Sequence, residues 1–314
     1  MEQTMRQAAE PEARKDGPSL RLAVPELFSF GENYRYLANA SNECLYRFHE
    51  GSIYKAVPVG TQAPVVEIRE DPIERGIRIR FLGDALPSPA VQAEVVRYVR
   101  EWFDLDRDLA PFYRLARTDA LLDRAVTAFH GLRNMGIPDL FEAISWGILG
   151  QQINLAFAYT LKRRLVERFG RRVVCEGETY WTFPTPQDIA GLSEADLSDL
   201  RMTVKKCEYL VGVAQLLADG RLSRELLLGT DDLRKVEKLL VGVRGIGPWT
   251  ANYVLMRCLR MPSAFPVDDV GLHNAIKMLN GMERKPTKPE ILALSAGWTG
   301  WESYATFYLW RFLY

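Results

Sequence analysis

The chain has 314 residues, a length that suits two or three domains, and 47% of them are hydrophobic, which is ordinary for a globular enzyme. Its 40 basic and 40 acidic side chains give a formal net charge of zero, which argues against a general nucleic-acid binder but allows basic groups to cluster on one face. The 4 cysteines lack the spacing of a zinc site or an iron–sulfur cluster, and no stretch has the roughly 20 apolar residues of a membrane span.

The first third of the chain is predicted to be a leader followed by a small α/β domain. Residues 1–19 are polar, lack an apolar signal-peptide core and are expected to be disordered. Residues 20–110 are expected to form the α/β domain, whose first part reads as strands. A glycine turn at 49–51 indicates a hairpin, and period-two alternation indicates a half-buried strand. The candidate strands are residues 44–48, 53–59 and 65–68, and Gly76–Phe81.

Helical patterns dominate from the end of this domain onward. Ser88 and Pro89 supply an N-cap and a first-turn proline, and the helix that follows has Val91, Val95, Val99 and Trp102 at helical spacing. Residues 111–139 and 261–314 are predicted to form one all-α domain. Residues 140–260 are predicted to form a central helical domain, interrupted by a loop-like stretch at 174–186. The predicted fold class is therefore α+β.

The most informative segment is residues 239–253. A helix over 233–240 meets a glycine-rich turn, where Gly245 and Gly247 allow positive φ and close backbone approach. Pro248 suits the first turn of the next helix, whose unpaired N–H groups and dipole form an anion site that fits a DNA phosphate. Six basic residues lie nearby, and Glu237 is the one acid between positions 233 and 260. An ordinary corner between two helices could also use glycines, for geometry alone. The full motif, a hydrophobic residue followed by Gly-Val-Arg-Gly-Ile-Gly between two helices, is more specific for a phosphate-binding hairpin than a lone pair of glycines.

The segment Val243-Arg244-Gly245-Ile246-Gly247 resembles the hairpin of the helix–hairpin–helix glycosylase superfamily. That superfamily carries a catalytic aspartate after a proline at a downstream loop-to-helix junction. Here Phe265-Pro266-Val267-Asp268-Asp269-Val270 matches the junction, and Asp269 follows Gly245 by 24 positions. With the β-rich start, residues 150–152 and residues 303–310, the chain resembles the bacterial DNA-3-methyladenine glycosylase II (AlkA-type) family. The resemblance implies a TBP-like N-terminal sheet with a helix, followed by two all-α domains.

The resemblance also implies an activity, the excision of alkylated purines from double-stranded DNA in base excision repair. Such an enzyme flips out a base such as 3-methyladenine or 7-methylguanine, hydrolyses its N-glycosidic bond and leaves an abasic site. The resemblance makes Asp269 the catalytic residue, and Asp268 is interpreted as the N-cap of a helix at Val270–Leu279, with the reverse assignment left open. A carboxylate stabilises the cationic sugar of the transition state or directs a water to C1′. A purine alkylated at N3 or N7 is already cationic and leaves without a general acid.

The base pocket is predicted to be aromatic, because electron-rich rings attract a cationic base. Trp249 and Tyr253 lie one helical turn apart, Trp310 matches the terminal motif of the family, and Gln151 is expected to border the pocket. Relatives that nick the backbone carry a lysine where this chain has Trp249, so no AP-lyase activity is expected.

The remaining site residues also follow from the resemblance. Gln152 or Ile153 is expected to fill the gap left by the extruded nucleotide. Main-chain carbonyls of the hairpin are expected to hold a Na⁺ or K⁺ ion, and no other cofactor, no membrane and no protein partner are expected. A cytoplasmic, nucleoid-associated location follows. The further expected DNA contacts are Lys205, Arg244, Gly245, Gly247 and Thr250, and the expected cation ligands are the carbonyls of Val241, Val243 and Ile246.

Three other functions compete with this prediction. An oxidised-base glycosylase would have the same fold, but an aromatic pocket serves a cationic base best. A non-catalytic DNA-binding protein could use the hairpin alone, yet it would gain nothing from a carboxylate beside DNA. A small-molecule enzyme with an incidental hairpin finds no support, because no Rossmann or Walker motif is present.

Overall fold

Five antiparallel strands open the fold, in the spatial order β1-β5-β4-β3-β2. The computed structural model describes residues 19–40, 42–71, 73–83, 85–230 and 232–313. The predicted leader therefore lies outside the described residues, except for Ser19, which already belongs to the first strand. The strands are β1 (Ser19–Ala23), β2 (Arg47–His49), β3 (Ser52–Ala56), β4 (Val65–Glu70) and β5 (Gly76–Phe81).

The hairpin expected in this region is present, with strands shorter than the sequence indicated. Glu50 and Gly51 both have positive φ, 47° and 75°, as in a two-residue type I′ turn between β2 and β3. Side chains of the central strands alternate between two apolar layers. Ile53 and Ile68 pack into the main core, whereas Tyr54 packs on the opposite face of the sheet. Both faces of the sheet are thus covered.

One helix in this region was not predicted. Helix α1 (Phe30–Ala38) lies inside the stretch expected to contain strands alone, and Ser29 caps its N-terminus. Its buried Asn33 donates to the carbonyl of Gly131 (3.2 Å) and accepts from the N–H of Arg133 (2.9 Å). Residues about 100 positions away therefore hold α1 in place, so the hydrophobic pattern around residues 30–38 could not predict this helix.

The helix predicted to start at Ser88-Pro89 is confirmed as α2 (Pro89–Trp102), with the Ser88 hydroxyl as its cap. From there on helices are the dominant elements, as expected. They are α3 (Ala110–Ala116), α4 (Ala120–Ala128), α5 (Leu140–Leu149), α6 (Leu155–Phe169), α7 (Pro186–Ala190), α8 (Val204–Ala218), α9 (Arg224–Leu228), α10 (Leu233–Val241), α11 (Pro248–Arg257), α12 (Val270–Leu279), α13 (Lys288–Leu294) and α14 (Glu302–Trp310).

The stretch at 174–186 is not a simple loop, as the sequence suggested, because it contributes to a second hairpin. Strands β6 (Arg172–Cys175) and β7 (Glu178–Trp181) pair around Glu176 and Gly177, which have φ of 49° and 79°. Tyr180 of β7 packs against Tyr54 and covers the outer face of the five-stranded sheet.

Helices from distant parts of the chain pack against each other. Helix α5 packs against α11 and α8, and α14 packs against α12 and α4. The domain boundaries near residues 110, 139 and 260 stay a prediction. Within the described ranges, every helix is too short or too polar to pass through a bilayer.

Candidate active site

The glycine-rich turn joins α10 to α11, and its two glycines do different jobs. Gly245 has φ of +94°, and a Cβ there would clash with the ring of Tyr209. Gly247 is the N-cap of α11 with φ of −89° and has open space where a Cβ would be, so the expectation of positive φ holds for Gly245 alone. Pro248 occupies the first turn of α11, as predicted.

The structure corrects one of the two roles predicted for the aspartates at the start of α12, that of the helix cap. Asp269, not Asp268, is the N-cap, because its Oδ1 accepts the N–H of Leu272 at 2.7 Å. Asp268 is half-exposed and pairs with Lys288 at 2.8 Å. Capping therefore does not separate a structural aspartate from a catalytic one here, since the buried Asp269 does the capping and also faces the cavity described below.

Three N–H groups hold the Asp269 carboxylate. The indole Nε1 of Trp249 donates to Oδ2 at 2.8 Å, and that of Trp310 donates to Oδ1 at 2.7 Å, the oxygen that also accepts Leu272. A Cβ on Gly271 would lie 2.9 Å from Oδ1 and 3.2 Å from the Trp310 ring, so this close approach requires glycine. A carboxylate fixed by three donors has its charge in one place, as a site that stabilises a developing cation requires.

Aromatic rings line the cavity onto which Asp269 opens. Trp249 and Tyr253 stack with centroids 5.5 Å apart and planes 27° apart, and Tyr253 and Trp310 follow at 6.4 Å and 31°. Burial raises the pKa of the Tyr253 phenol, so this ring stays neutral and electron-rich at neutral pH. The cavity has a volume of about 940 Å³, and its walls include all four predicted pocket residues, Gln151 among them.

Gln151 fixes the end of α5 to the hairpin. Its Nε2 donates to the carbonyl of Gly245 at 2.9 Å and to the hydroxyl of Thr250 at 3.3 Å. Thr250 is buried, so its side chain is placed to support the hairpin. Gln152 comes next, exposed and with φ of +58°, and Ile153 is half-buried beside it. Both residues border the cavity mouth, where the sequence predicts that one of them enters the DNA.

The other predicted DNA and cation contacts lie around the hairpin. Lys205 is exposed at the start of α8, and the exposed Arg244 pairs with Glu208 at 2.5 Å, an ion pair that a phosphate would have to replace. The carbonyls of Val241, Val243 and Ile246 are neutral oxygens, which suits a monovalent cation, although Val243 also accepts the N–H of Ile246 at 3.0 Å. Cation binding stays a prediction. In the part of the chain that the structure describes, no group of three His, Cys, Asp or Glu side chains could hold a metal ion.

The sequence did not reveal the polar inner end of the cavity. There the ammonium of Lys162 donates to Glu43 at 2.8 Å and to Glu142 at 2.9 Å, and all three side chains are buried. Although burial opposes it, the two carboxylates hold the pKa of Lys162 well above its usual value. Glu142 in the apolar helix α5 was the available signal, because a buried charge in such a helix needs a partner.

Comparisons with known proteins agree with the resemblance drawn from the sequence. A family model described as HhH-GPD superfamily base excision DNA repair protein matches residues 146–300, and one described as 8-oxoguanine DNA glycosylase, N-terminal domain, matches residues 18–144. A DNA-3-methyladenine glycosylase of Bacillus subtilis is 51% identical over 294 residues, which cover 93% of this chain and 96% of that protein.

Solved structures share the fold over nearly the whole chain. The 3-methyladenine DNA-glycosylase from Archaeoglobus fulgidus has a TM-score of 0.79 at 22% identity, covering 94% of this chain and 97% of that one. The Clostridium acetobutylicum 8-oxoguanine glycosylase/lyase, solved with double-stranded DNA, has a TM-score of 0.72 at 19% identity, covering 95% and 98%. The predicted α+β fold, a sheet followed by helices, is confirmed.

Proposed function

The chain belongs to the HhH-GPD superfamily of base excision DNA repair proteins, and we propose that it is a DNA glycosylase that removes alkylated purines from double-stranded DNA. One observation carries the proposal, the Asp269 carboxylate held by the indole N–H groups of Trp249 and Trp310 on the wall of an aromatic cavity. We propose that the N-terminus of α11 and the hairpin before it contact a DNA phosphate. We also propose that the enzyme acts where its substrate is, at the bacterial nucleoid in the cytoplasm.

The reaction needs little beyond this site. As the bond between C1′ and the base nitrogen breaks, positive charge builds on the sugar, and the fixed charge of Asp269 stabilises it. Water then attacks C1′ and loses a proton, which leaves an abasic site and a neutral free base. The rings of Trp249, Tyr253 and Trp310 favour a cationic base, which departs without prior protonation.

We propose that the enzyme does not cut the backbone, because none of the described residues that line the cavity offers a free amine beside Asp269. Position 249 holds an indole instead of a lysine. The two lysines of the cavity wall are occupied elsewhere, Lys162 between two carboxylates and Lys55 against the carbonyl of Leu45 at 3.3 Å. A Schiff base requires a free, neutral amine at the sugar.

Excision of oxidised purines is a second candidate function, favoured by the match of residues 18–144 to the 8-oxoguanine glycosylase domain. That match covers the sheet and α1–α4, whereas Asp269, Trp249 and Trp310 lie outside it. We therefore place alkylated purines first.

A base-release assay separates these functions. Duplex DNA treated with a methylating agent is incubated with the protein, and a second duplex contains one 8-oxoguanine. We expect free 3-methyladenine and 7-methylguanine, with strand breaks appearing after alkali alone, and little release of 8-oxoguanine. Release of 8-oxoguanine at the higher rate, or strand cleavage without alkali, would contradict the proposal.

A further inference from the structure

The cavity that Asp269 faces is lined by Trp249 and Tyr253 of α11 and by the buried ion pairs of Lys162. Helices α5 and α11 lie antiparallel, because the N–H of Ile137, before α5, donates to the carbonyl of Arg257 (2.8 Å), while Gln151, after α5, contacts Thr250. Glu142, in the first turn of α5, therefore lies level with the second half of α11, near Tyr253 and beyond Trp249. The same cavity is lined by both Glu142 and Asp269.

A flipped purine is long enough to extend from Asp269 to the part of the cavity wall that Glu142 lines. Tyr253 follows Trp249 by one helical turn, which is about 6 Å along the axis and close to the length of a purine. A nucleotide with its sugar at Asp269 would lay its base along Trp249 and Tyr253, with the edge farthest from the sugar toward Glu142. Burial is the main cause of the raised pKa of the Tyr253 phenol and the charge of Glu142 is a small one, and both side chains line the same cavity.

Glu43 and Glu142, the two carboxylates that bind Lys162, differ in the number of oxygens that accept hydrogen bonds. Glu43 uses both oxygens, because Oε1 accepts the N–H groups of Cys44 (2.8 Å) and Leu45 (3.0 Å) and Oε2 accepts Lys162. Glu142 accepts Lys162 through Oε1, and its Oε2 accepts no hydrogen bond from any described residue. The Glu142 side chain is 11% exposed and lines the cavity, so this oxygen is an acceptor open to the cavity and without a protein partner.

Helix capping does not explain this arrangement. Glu142 is at the third position of α5, where a glutamate often bonds back to the N-cap residue. Here Asp139 caps the helix through the N–H of Glu142, and the Glu142 carboxylate turns to Lys162 instead. Because Oε2 is open to the cavity, a base that donates to it gains a hydrogen bond to a charged acceptor, which is stronger than one between neutral groups.

We propose that Glu142 is a specificity-determining residue, whose Oε2 accepts a hydrogen bond from the exocyclic amino group of the extruded purine. The inference rests on the proposed glycosylase function and adds a criterion to it. The aromatic wall favours a cationic base of any kind, whereas Glu142 favours a base that carries an amino group on its far edge. Lys162 fixes the orientation of the carboxylate through its hydrogen bond to Oε1.

A pair of substrates with equal charge tests this directly. Two duplexes differ only in carrying 7-methylguanine or 7-methylhypoxanthine, which are both cationic but differ in the amino group. For the wild type we expect single-turnover release of 7-methylguanine to be faster by about tenfold after subtraction of spontaneous depurination, the equivalent of one modest hydrogen bond. Equal rates for the two bases in the wild type would overturn the proposal.

The variants Glu142→Gln and Glu43→Gln assign the preference to a residue. Both remove one charge beside Lys162, but in Glu142→Gln the ammonium attracts the amide oxygen and leaves an NH₂ group toward the base. We expect Glu142→Gln to lose the preference for 7-methylguanine and Glu43→Gln to keep it, with thermal unfolding used to confirm that both are folded. A preference that survives in Glu142→Gln, or an equal slowing of both bases, contradicts the proposal. A wild type that releases neither base would instead reject the glycosylase function itself.

Discussion

At the scale of single residues, the site is organised by one carboxylate with two duties. Asp269 caps α12 through Leu272 and receives the indole N–H groups of Trp249 and Trp310. The same pair of contacts occurs away from the cavity, where Asp119 caps α4 and accepts the indole N–H of Trp298 at 2.8 Å. The chain therefore provides an internal control for any change made at Asp269.

We expect Trp249→Phe to slow base release by roughly tenfold to a hundredfold, because it removes a hydrogen bond to a charged group worth about 1.5–3 kcal/mol and keeps an aromatic face. The measurement is the single-turnover rate on DNA with one 7-methylguanine, together with affinity for abasic-analogue DNA, which should change little. Trp298→Phe removes the equivalent bond to Asp119 and should leave the rate per folded molecule unchanged. Equal effects of the two substitutions would show that the indole N–H at Asp269 has no special role.

The aromatic half of the site could be predicted from the sequence, and the acidic inner half could not. Trp249 and Tyr253 directly follow a recognisable hairpin, so the sequence alone was enough to predict that they line the base pocket. Glu43 and Lys162 are 119 positions apart, and only the packing of α6 against the loop after α1 brings them together. The choice between Asp268 and Asp269 as cap also depended on packing, since either aspartate suits a helix start.

At the scale of elements, the hairpin between α10 and α11 depends on one glycine for its shape. We expect Gly245→Ala to lower the free energy of unfolding by about 2–4 kcal/mol, because a positive φ is strained in alanine and the new Cβ meets Tyr209. Gly247→Ala has no such neighbour and should cost less than about 1 kcal/mol. Urea unfolding of both variants measures the difference.

The same two variants separate folding from DNA contact. If the N–H groups at the start of α11 bind a phosphate, a Cβ at Gly247 obstructs its approach and should weaken binding of abasic-analogue DNA by about tenfold at fixed salt. A stable Gly247→Ala variant with unchanged DNA affinity would exclude a phosphate at this turn.

Elements with a local signal were predicted well, and those held by distant partners were not. Helix α2 begins at the predicted cap Ser88, α12 has the predicted bounds, and β5 alternates as a half-buried strand does. The hairpin of β6 and β7 was missed although Glu176-Gly177 suits a type I′ turn, because glycines and prolines around it read as a loop.

At the scale of the whole molecule, one apolar core runs from the sheet to the last helix, and a buried arginine helps to join its parts. Arg133 is fully buried and donates to the carbonyls of Leu27 (3.1 Å), Asp104 (3.0 Å) and Arg107 (2.5 Å), which flank α1 and α2. Composition and element order indicated an α+β protein, but such long-range polar contacts leave no trace in a local pattern.

Stability of the molecule should depend on pH through Asp139, the partly buried N-cap of α5. Burial raises its pKa to about 6, above the value of about 3.9 in an unfolded chain, so the folded protein holds this proton more tightly. The stabilisation from this group is complete below about pH 4 and is lost as pH rises through 6.

We therefore expect Asp139→Asn, which keeps a good cap and cannot ionise, to be more stable than the wild type at pH 8 by up to about 3 kcal/mol. Urea unfolding at pH 5 and pH 8 measures this, and the advantage should shrink at pH 5. A variant that is less stable than the wild type at pH 8 would mean that the ionised carboxylate is the stabilising form.

The most direct measurement compares Asp269→Asn with Asp268→Asn in single-turnover release of 7-methylguanine. Asparagine caps a helix about as well as aspartate, so both variants should fold and bind abasic-analogue DNA. Asp268→Asn should unfold within about 0.5 kcal/mol of the wild type, whereas Asp269→Asn loses the acceptor of one indole N–H and should be less stable by about 1.5–3 kcal/mol. We expect Asp269→Asn to lose at least a hundredfold in rate and Asp268→Asn to stay within about threefold of the wild type. A folded Asp269→Asn enzyme that releases the base at the wild-type rate would contradict the assignment of the catalytic charge.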